Sequence, residues 1–475
     1  MDSDRDIVEG LFDAGKLLYD DRMIEKQIIW RYKGEETEIH DRGHLKERQQ
    51  KYLREKDYAA VKQINDILLE LNYSEKREYL DSYPLNLQIE HTNFCNARCI
   101  MCSHCFTKNH GASNLSEDNL CYLKEILPYV HRITLHGYGE PFMHPDIVKI
   151  LRMYDSYGIK MTCNTNASIM NPELAELIHK CFYDISISCD GATAYTYEHI
   201  RQGLNFETFK KNVRLLRSHG ERLFMRMAVV IMRQNLEELP DIVRLAAELG
   251  FQEVLFVDVT TQGLLENEKD SLIEYPAAAK HFIDCAKSIG EKLKLSVKVP
   301  EYIMNLESEE AWEKDVRRIH AFPLFKGEEF TEQLYKRYKE SGFIETTMPA
   351  TKENFLIPGE YSCEGICDFV MERPYINAKG DVFLCCTNWM HVVGNVYRDG
   401  GFEAVWNGEI MRGIRRMFYN GEFPKYCTGC IFVRDDMMCR RLKVNNLSGA
   451  FYKHNYDELV MQMISEAEAI GRAEK

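Results

Sequence analysis

Three closely spaced cysteines are the residues of this chain best suited to metal chemistry. Cys95, Cys99 and Cys102 have the spacing C-x3-C-x2-C and follow an alternating apolar stretch, 85–90, that predicts a strand. A fourth thiol, Cys105, stands close behind them. A structural zinc site takes four protein ligands, whereas three thiolates on a four-iron cluster leave one iron open to bind another molecule. The spacing alone therefore leaves both a zinc knuckle and an open iron–sulfur cluster as interpretations.

A second group of cysteines lies in the C-terminal part of the chain. Its members are Cys363, Cys367, Cys385, Cys386, Cys427, Cys430 and Cys439. Gly380 suits the tight turn of a hairpin over residues 375–384, which would bring the flanking cysteines together. A zinc ribbon, a redox-active Cys427/Cys430 pair and an iron–sulfur cluster are all compatible with these residues.

An alternation of strand and helix patterns runs from residue 85 to about 260 and must position the first cysteine group. Six strand–helix units predict a parallel sheet with right-handed crossovers, curved into a partial (β/α)6 TIM-like barrel of the α/β class. In such barrels the chemistry lies at the C-terminal ends of the strands. The predicted strands are Leu85–Glu90, Arg132–His136, Ile159–Thr162, Tyr183–Ser188, Leu223–Val230 and Glu253–Val257.

Glycines and polar residues stand at these strand ends. They are Gly137, Gly139 and Glu140 after the second strand, Asn164 after the third, Ser188 ending the fourth, Arg201 in the following segment, and Asn235 after the fifth. Glycine lets the backbone approach a ligand closely, a carboxylate can receive an ammonium, and a guanidinium binds a carboxylate bidentately. Each position also has a structural explanation, such as a Gly-Pro turn, a serine bonded to the backbone, or a surface salt bridge at Arg201.

The order of these motifs through residues 85–260 resembles the radical S-adenosylmethionine (radical SAM) superfamily. The chain departs from the family pattern at Met101, Tyr138 and Ala167, where relatives carry an aromatic residue, a glycine and a glycine. The resemblance implies a catalytic [4Fe–4S] cluster on Cys95, Cys99 and Cys102. Its open iron would chelate S-adenosylmethionine, and electron transfer would release a 5'-deoxyadenosyl radical that abstracts a substrate hydrogen.

The same resemblance implies roles for the strand-end residues. Glu140 and backbone carbonyls near Gly137 and Gly139 would hold the methionyl amino group, and Arg201 its carboxylate. Ser188 would meet the ribose or the carboxylate. Asn164 and Asn235 would lie near the cofactor, Asn235 towards the nucleoside.

The C-terminal cysteines resemble the SPASM/twitch extension of radical SAM enzymes, which binds auxiliary iron–sulfur clusters. By this resemblance we expect one closed auxiliary [4Fe–4S] cluster on Cys367, Cys385, Cys427 and Cys430, working in electron transfer. Cys363, Cys386 and Cys439 remain candidate ligands of a second cluster.

Composition restricts the other classes of function. The formal net charge of −14 argues against a general phosphate-backbone binder, so no nucleic-acid partner is expected. The sequence shows no membrane-spanning apolar run and no signal-peptide pattern, and we expect a cytoplasmic protein. Sixteen cysteines in such a protein indicate metal or redox chemistry.

The sequence divides into five predicted regions. They are a mostly helical N-terminal extension (1–84) with one strand-like stretch near residue 28, the barrel (85–299), a connector (300–357), a small cysteine-rich α+β domain (358–448) and a C-terminal helix (449–475).

The expected substrate is a small polar molecule, a sugar or aminocyclitol, undergoing oxidation, dehydration or epimerisation as in aminoglycoside-type antibiotic biosynthesis. A flavodoxin or ferredoxin would be the reductant. The alternatives are a peptide or protein maturase, although residues 1–84 do not show the strand-then-winged-helix order of a leader-binding domain, and a non-catalytic iron–sulfur or zinc scaffold.

Overall fold

The computed structural model describes most of the barrel and the cysteine-rich region. The described ranges are 28–32, 35–39, 42–102, 113–259, 271–300, 311–321, 348–386, 391–427 and 442–444 of the 475 residues. The predicted ligand Cys430, together with Cys105, Cys439 and the predicted helix 449–475, lies outside them.

The N-terminal half of the described chain contains the following elements in order. They are β1 (Ile28–Tyr32), β2 (Glu35–Ile39), α1 (Arg42–Glu55), α2 (Tyr58–Ser74), β3 (Asn86–Ile89), β4 (Arg98–Cys99), α3 (Glu117–Lys124), β5 (Arg132–Thr134), α4 (Ile147–Ser156), β6 (Lys160–Thr162), β7 (Asn164–Thr165), α5 (Pro172–Cys181), β8 (Asp184–Ser188), α6 (Ala194–Ile200), β9 (Arg201–Gln202), α7 (Phe206–Arg217), β10 (Phe224–Ile231), α8 (Leu239–Glu248) and β11 (Glu253–Asp258).

The remaining elements follow in the C-terminal half. They are α9 (Pro276–Leu293), β12 (Ser296–Lys298), α10 (Trp312–Ala321), β13 (Met348–Pro349), α11 (Lys352–Phe355), β14 (Pro358–Gly365), α12 (Asp368–Glu372), β15 (Tyr375–Ile376), β16 (Asp381–Phe383), β17 (His391–Asn395), α13 (Phe402–Trp406), α14 (Glu409–Tyr419), β18 (Glu422–Pro424) and β19 (Leu442–Val444).

The six predicted barrel strands are present and parallel, in the order β3-β5-β6-β8-β10-β11, and β12 adds a seventh at the β11 edge. β6 and β7 act as one strand against β8, because the intervening Cys163 accepts a hydrogen bond from the Ser186 amide at 2.9 Å. Residues of β10 alternate between buried and partly exposed along its whole length. This period of two packs one face against the helices and turns the other into the barrel. The partial-barrel prediction is confirmed.

The cysteine-rich region continues the barrel sheet. β15 pairs in parallel with β3, with Tyr375 opposite Gln88, and β16 and β17 follow in antiparallel order. The turn between β15 and β16 contains Gly380 at φ +82°, a conformation that favours glycine, as the hairpin prediction required. The two regions that carry the two cysteine groups therefore share one sheet.

The N-terminal extension is only partly helical. β1 and β2 form an antiparallel pair ahead of α1 and α2, so this region does have strands followed by helices. α2 packs on the barrel, where the Lys62 ammonium donates to the carbonyls of Tyr157 and Gly158 at 2.9 and 3.0 Å. Burial lowers the pKa of Lys62 to about 8. The extension is thus attached at the C-terminal end of α4.

Candidate active site

The first cysteine group lies on a loop that is fixed by a short strand pair. β4, which ends at Cys99, pairs antiparallel with β9, which begins at Arg201, and the Ile100 amide donates to the Ile200 carbonyl at 3.0 Å. A Cβ atom on Gly203 would lie 2.9 Å from the Asn96 carbonyl oxygen, so only glycine allows this approach. The segment after α6 therefore holds the middle of the cysteine loop.

Cys99 is buried, Cys95 and Cys102 are half-buried, and the three thiols are close enough to influence one another. Burial raises the pKa of Cys95 to about 11 and that of Cys99 to about 12, and in both cases Cys102 adds to the rise. Among the described residues no three His, Cys, Asp or Glu side chains are arranged to hold a single metal ion. The thiols of Cys95, Cys99 and Cys102 nevertheless lie close enough to interact electrostatically.

Arg201 forms a buried ion pair beside this loop, not the surface salt bridge considered from sequence. Its Nη2 lies 2.7 Å from Asp190 Oδ2, and both side chains are almost inaccessible. Its Nη1 lies 3.7 Å from Cys99 Sγ. The Asp190 carboxylate also accepts a hydrogen bond from the Val230 amide at 2.8 Å. Arg201 therefore places its guanidinium beside the Cys99 thiol, and Asp190 fixes its position.

Glu140 is buried and its carboxylate is already hydrogen-bonded. Oε1 accepts from the Thr165 hydroxyl at 2.6 Å, and Oε2 accepts from the Asn166 amide at 2.7 Å. Burial raises its pKa. A Cβ atom on Gly139 would meet the backbone oxygens of Thr92 and Phe94 at 2.3 and 2.7 Å. The Gly-Tyr-Gly-Glu loop therefore packs directly on the chain leading to the cysteines, and Glu140 anchors it to the end of the β6–β7 strand.

The turn after β7 has a left-handed backbone conformation of the kind that favours glycine, although the residue is Ala167. Ala167 has φ +53°, and the buried Asn212 amide donates to its carbonyl at 2.8 Å. Asn166 donates to the Asn96 side chain at 3.0 Å, which ties this turn to the cysteine loop. Asn212 was missed from sequence because it lies on α7, far from the motif.

The other predicted residues divide into two groups. Asn164 is exposed, with its amide donating to His136 Nδ1 at 3.0 Å, and Ser188 is half-buried at the end of β8, so both line the opening of the barrel. Asn235 is different, because its Nδ2 donates to the carbonyls of Asp190 and Val230 and its Oδ1 accepts from the Met232 amide. These bonds commit the Asn235 amide to the backbone, which gives it a turn-forming role here.

The described C-terminal cysteines flank the open end of the β15–β16 hairpin. Cys367 precedes the short helix that leads into β15, and Cys385 follows β16 by two residues. The Tyr426 ring packs against His391 at 4.3 Å between centroids, next to the end of β16, and so brings the neighbouring Cys427 to the same end. Cys363 is buried in β14, with its thiol donating to the Glu422 carbonyl. Three of the four predicted auxiliary ligands thus lie in one part of the fold.

Two family comparisons match separate parts of the chain. The family described as the radical SAM superfamily matches residues 89–246, and the SPASM family, described as an iron–sulfur cluster-binding domain, matches residues 367–431. The first range contains the barrel and its cysteine loop, and the second contains the hairpin and the C-terminal cysteines.

Individual relatives are distant. The chain is similar to the AdoMet-dependent heme synthase of Methanosarcina barkeri, at 24% identity over 73% of this chain and 91% of that protein. It is similar to the mycofactocin maturase MftC of Mycobacterium tuberculosis (strain CDC 1551 / Oshkosh), at 28% identity over 35% of this chain and 43% of the other. It is also similar to the PqqA peptide cyclase of Rhodopseudomonas palustris, at 24% identity over 46% and 59%. The chain thus spans only about half the length of the last two.

Proposed function

The chain belongs to the radical SAM superfamily and carries a SPASM-type iron–sulfur domain, and from this premise we propose that it abstracts a hydrogen atom from a peptide substrate. Its cofactors are a catalytic [4Fe–4S] cluster, S-adenosylmethionine and auxiliary iron–sulfur clusters. When bound, the cluster and S-adenosylmethionine supply a 5'-deoxyadenosyl radical. The protein residues orient the cofactor and the substrate C–H bond.

The roles of individual residues in holding the cofactors are part of the proposal. Cys95, Cys99 and Cys102 would ligate the catalytic cluster, and the backbone of Gly137 and Gly139 would face the methionyl amino group. What supports this arrangement is that the Gly139 backbone packs against the chain that leads into the cysteine loop.

The remaining residues proposed to contact the cofactor differ in which of their side-chain groups can bind it. Asn164 and Ser188 present side chains at the barrel opening. Arg201 keeps its Asp190 bond, and its buried Nε has no hydrogen-bond partner in the described part of the chain, so it has capacity to meet a carboxylate. Glu140 would act through the loop that it anchors.

The auxiliary cluster would be held by Cys367, Cys385, Cys427 and Cys430. Four thiolates close the coordination of such a cluster, which suits it to electron transfer. A flavodoxin or ferredoxin would supply the reducing electron. Because the hairpin beside these cysteines shares a sheet with β3, the auxiliary site is built onto the barrel, and this argues against an independent zinc ribbon.

The name of one relative supports a peptide substrate. The PqqA peptide cyclase acts on a peptide by its name, and no relative described above is named for a sugar. The expected sugar or aminocyclitol is therefore less well supported than the peptide alternative. The strand pair ahead of α1 and α2 also weakens the sequence-based objection that residues 1–84 do not show the strand-then-winged-helix order, because strands precede helices there.

A porphyrin is the second candidate substrate. The heme synthase alignment extends over 73% of this chain, further than the alignments with the two other relatives described above, and so includes residues well beyond the barrel. This alignment, at 24% identity, makes a porphyrin the second substrate class to test.

Three substrate pools would distinguish these proposals. Anaerobically reconstituted protein would be incubated with dithionite, S-adenosylmethionine and one of three substrate pools. The pools are synthetic peptides of about 20–40 residues, aminocyclitols with amino sugars, and porphyrins. We expect only the peptide pool to raise 5'-deoxyadenosine formation above the substrate-free rate and to yield a peptide of altered mass. Stimulation by the aminocyclitol or porphyrin pool alone would contradict the proposal.

A further inference from the structure

A buried carboxylate connects the loop near the cofactor to the cysteine-rich region. Glu90, just after β3, is 3% exposed. Its Oε2 accepts hydrogen bonds from the Tyr138 amide at 2.7 Å and the Tyr375 hydroxyl at 3.1 Å. Its Oε1 accepts from the Ala378 amide at 3.4 Å. We call these four residues the Glu90 junction.

The Gly-Tyr-Gly loop is shaped around this carboxylate. A Cβ atom on Gly137 would lie 2.2 Å from Glu90 Oε2 and 2.6 Å from its Cβ, so the loop passes where no larger residue fits. The Tyr138 amide then points at the carboxylate. Since a buried carboxylate is costly to leave unbonded, its position and the loop's position depend on each other.

Tyr375 makes the junction depend on the cysteine-rich region. Its ring stacks on Phe383 with centroids 5.4 Å apart, at the open end of the hairpin where Cys385 and Cys386 follow. Burial raises the pKa of Tyr375, and the nearby Glu90 and Cys386 raise it further. The tyrosine is therefore a protonated donor that reaches from the auxiliary cysteine segment to Glu90.

We propose that Glu90 is a positioning residue that holds the Gly137–Gly139 loop in the conformation that binds S-adenosylmethionine. Tyr375 makes this conformation depend on the pairing of the β15–β16 hairpin with β3. The proposal depends on the cofactor and not on the substrate class. Glu90 acts through the Tyr138 amide and does not itself contact the reacting atoms.

The test compares the full-length reconstituted protein with its Tyr375→Phe variant, which keeps the stacked ring and removes only the hydroxyl. We expect S-adenosylmethionine, measured by equilibrium dialysis without reductant, to bind roughly tenfold more weakly, as the loss of a hydrogen bond to a charged group predicts. Hydrogen exchange at the Tyr138 amide should accelerate by a similar factor of about ten, with iron content unchanged.

Tyr73→Phe is the matched control. The Tyr73 hydroxyl donates to Glu372 at the same distance of 3.1 Å and also joins the N-terminal region to the cysteine-rich region, but Glu372 is not one of the four junction residues. The control should keep wild-type affinity and exchange. The S-adenosylmethionine affinity of Glu90→Gln should fall between those of wild type and Glu90→Ala, because the glutamine amide retains one hydrogen-bond acceptor.

Two results would overturn the proposal. One is wild-type affinity and wild-type Tyr138 exchange in Tyr375→Phe. The other is an equal loss in Tyr73→Phe, which would indicate general loosening of the contact between the two regions.

Discussion

The buried pair between Asp190 and Arg201 provides the sharpest stability prediction. Asp190→Asn keeps the side-chain shape and the bond from the Val230 amide, and it removes the charge that faces the guanidinium 2.7 Å away. Because the remaining guanidinium is buried, we expect the variant to lose about 3–5 kcal/mol in the free energy of unfolding. Guanidinium chloride unfolding of the cluster-free protein, followed by circular dichroism, measures this loss.

A double-variant cycle separates the ion pair from other effects. Replacing Arg201 with Met in the Asp190→Asn background removes the unpaired charge, so the double variant should recover about 2–3 kcal/mol relative to the sum of the single variants. The exposed pair between Lys149 and Glu117, 2.6 Å apart, is the control, and Lys149→Met should leave the midpoint unchanged. Two results would contradict a stabilising buried ion pair. One is an unchanged unfolding midpoint in Asp190→Asn, and the other is strict additivity of the changes in the free energy of unfolding.

Three further predictions concern the loops and the barrel core. Ala167→Gly should stabilise the protein by about 1 kcal/mol in the same unfolding assay, because Ala167 has a left-handed φ of +53°, and a destabilisation would contradict that conformation. Gly139→Ala should lower the iron bound on reconstitution, since its methyl group would meet the backbone oxygens of Thr92 and Phe94, and unchanged iron would argue against this packing. Burial lowers the pKa of His91 to about 3, so only the unfolded chain takes up a proton at this residue as the pH falls below about 6.5. Stability should therefore decrease from about pH 6.5 towards pH 4, and His91→Gln should reduce the slope, as urea midpoints at several pH values would show.

The barrel could be predicted from sequence because its signals are local. A strand pattern depends only on neighbouring residues, and the predicted strand Leu223–Val230 is observed as β10. The bounds of the five predicted regions stay predictions.

The site could be predicted only in outline. The cysteine spacing and the strand ends locate it, but the roles of side chains depend on distant contacts. Arg201 is buried because the fold brings Asp190 to it, and Glu90 meets Tyr375 across 285 positions of sequence. No local pattern distinguishes such a charged residue from a surface one.

Asn235 and Ala167 show the same limit at a smaller scale. A polar residue after a strand is equally compatible with ligand binding and with a turn, and the three backbone partners of Asn235 favour the turn. At Ala167 the backbone has a left-handed φ although the residue is not glycine, and Asn212, which is distant in sequence, holds its carbonyl.

Iron and 5'-deoxyadenosine, measured in wild type and in a variant with Cys95, Cys99 and Cys102 all replaced by alanine, test the account most directly. Both proteins would be reconstituted anaerobically and incubated with dithionite and S-adenosylmethionine. We expect about eight irons per chain in wild type and about four in the variant, with 5'-deoxyadenosine formed only by wild type. Continued 5'-deoxyadenosine formation by the variant, or iron without cleavage in wild type, would contradict it.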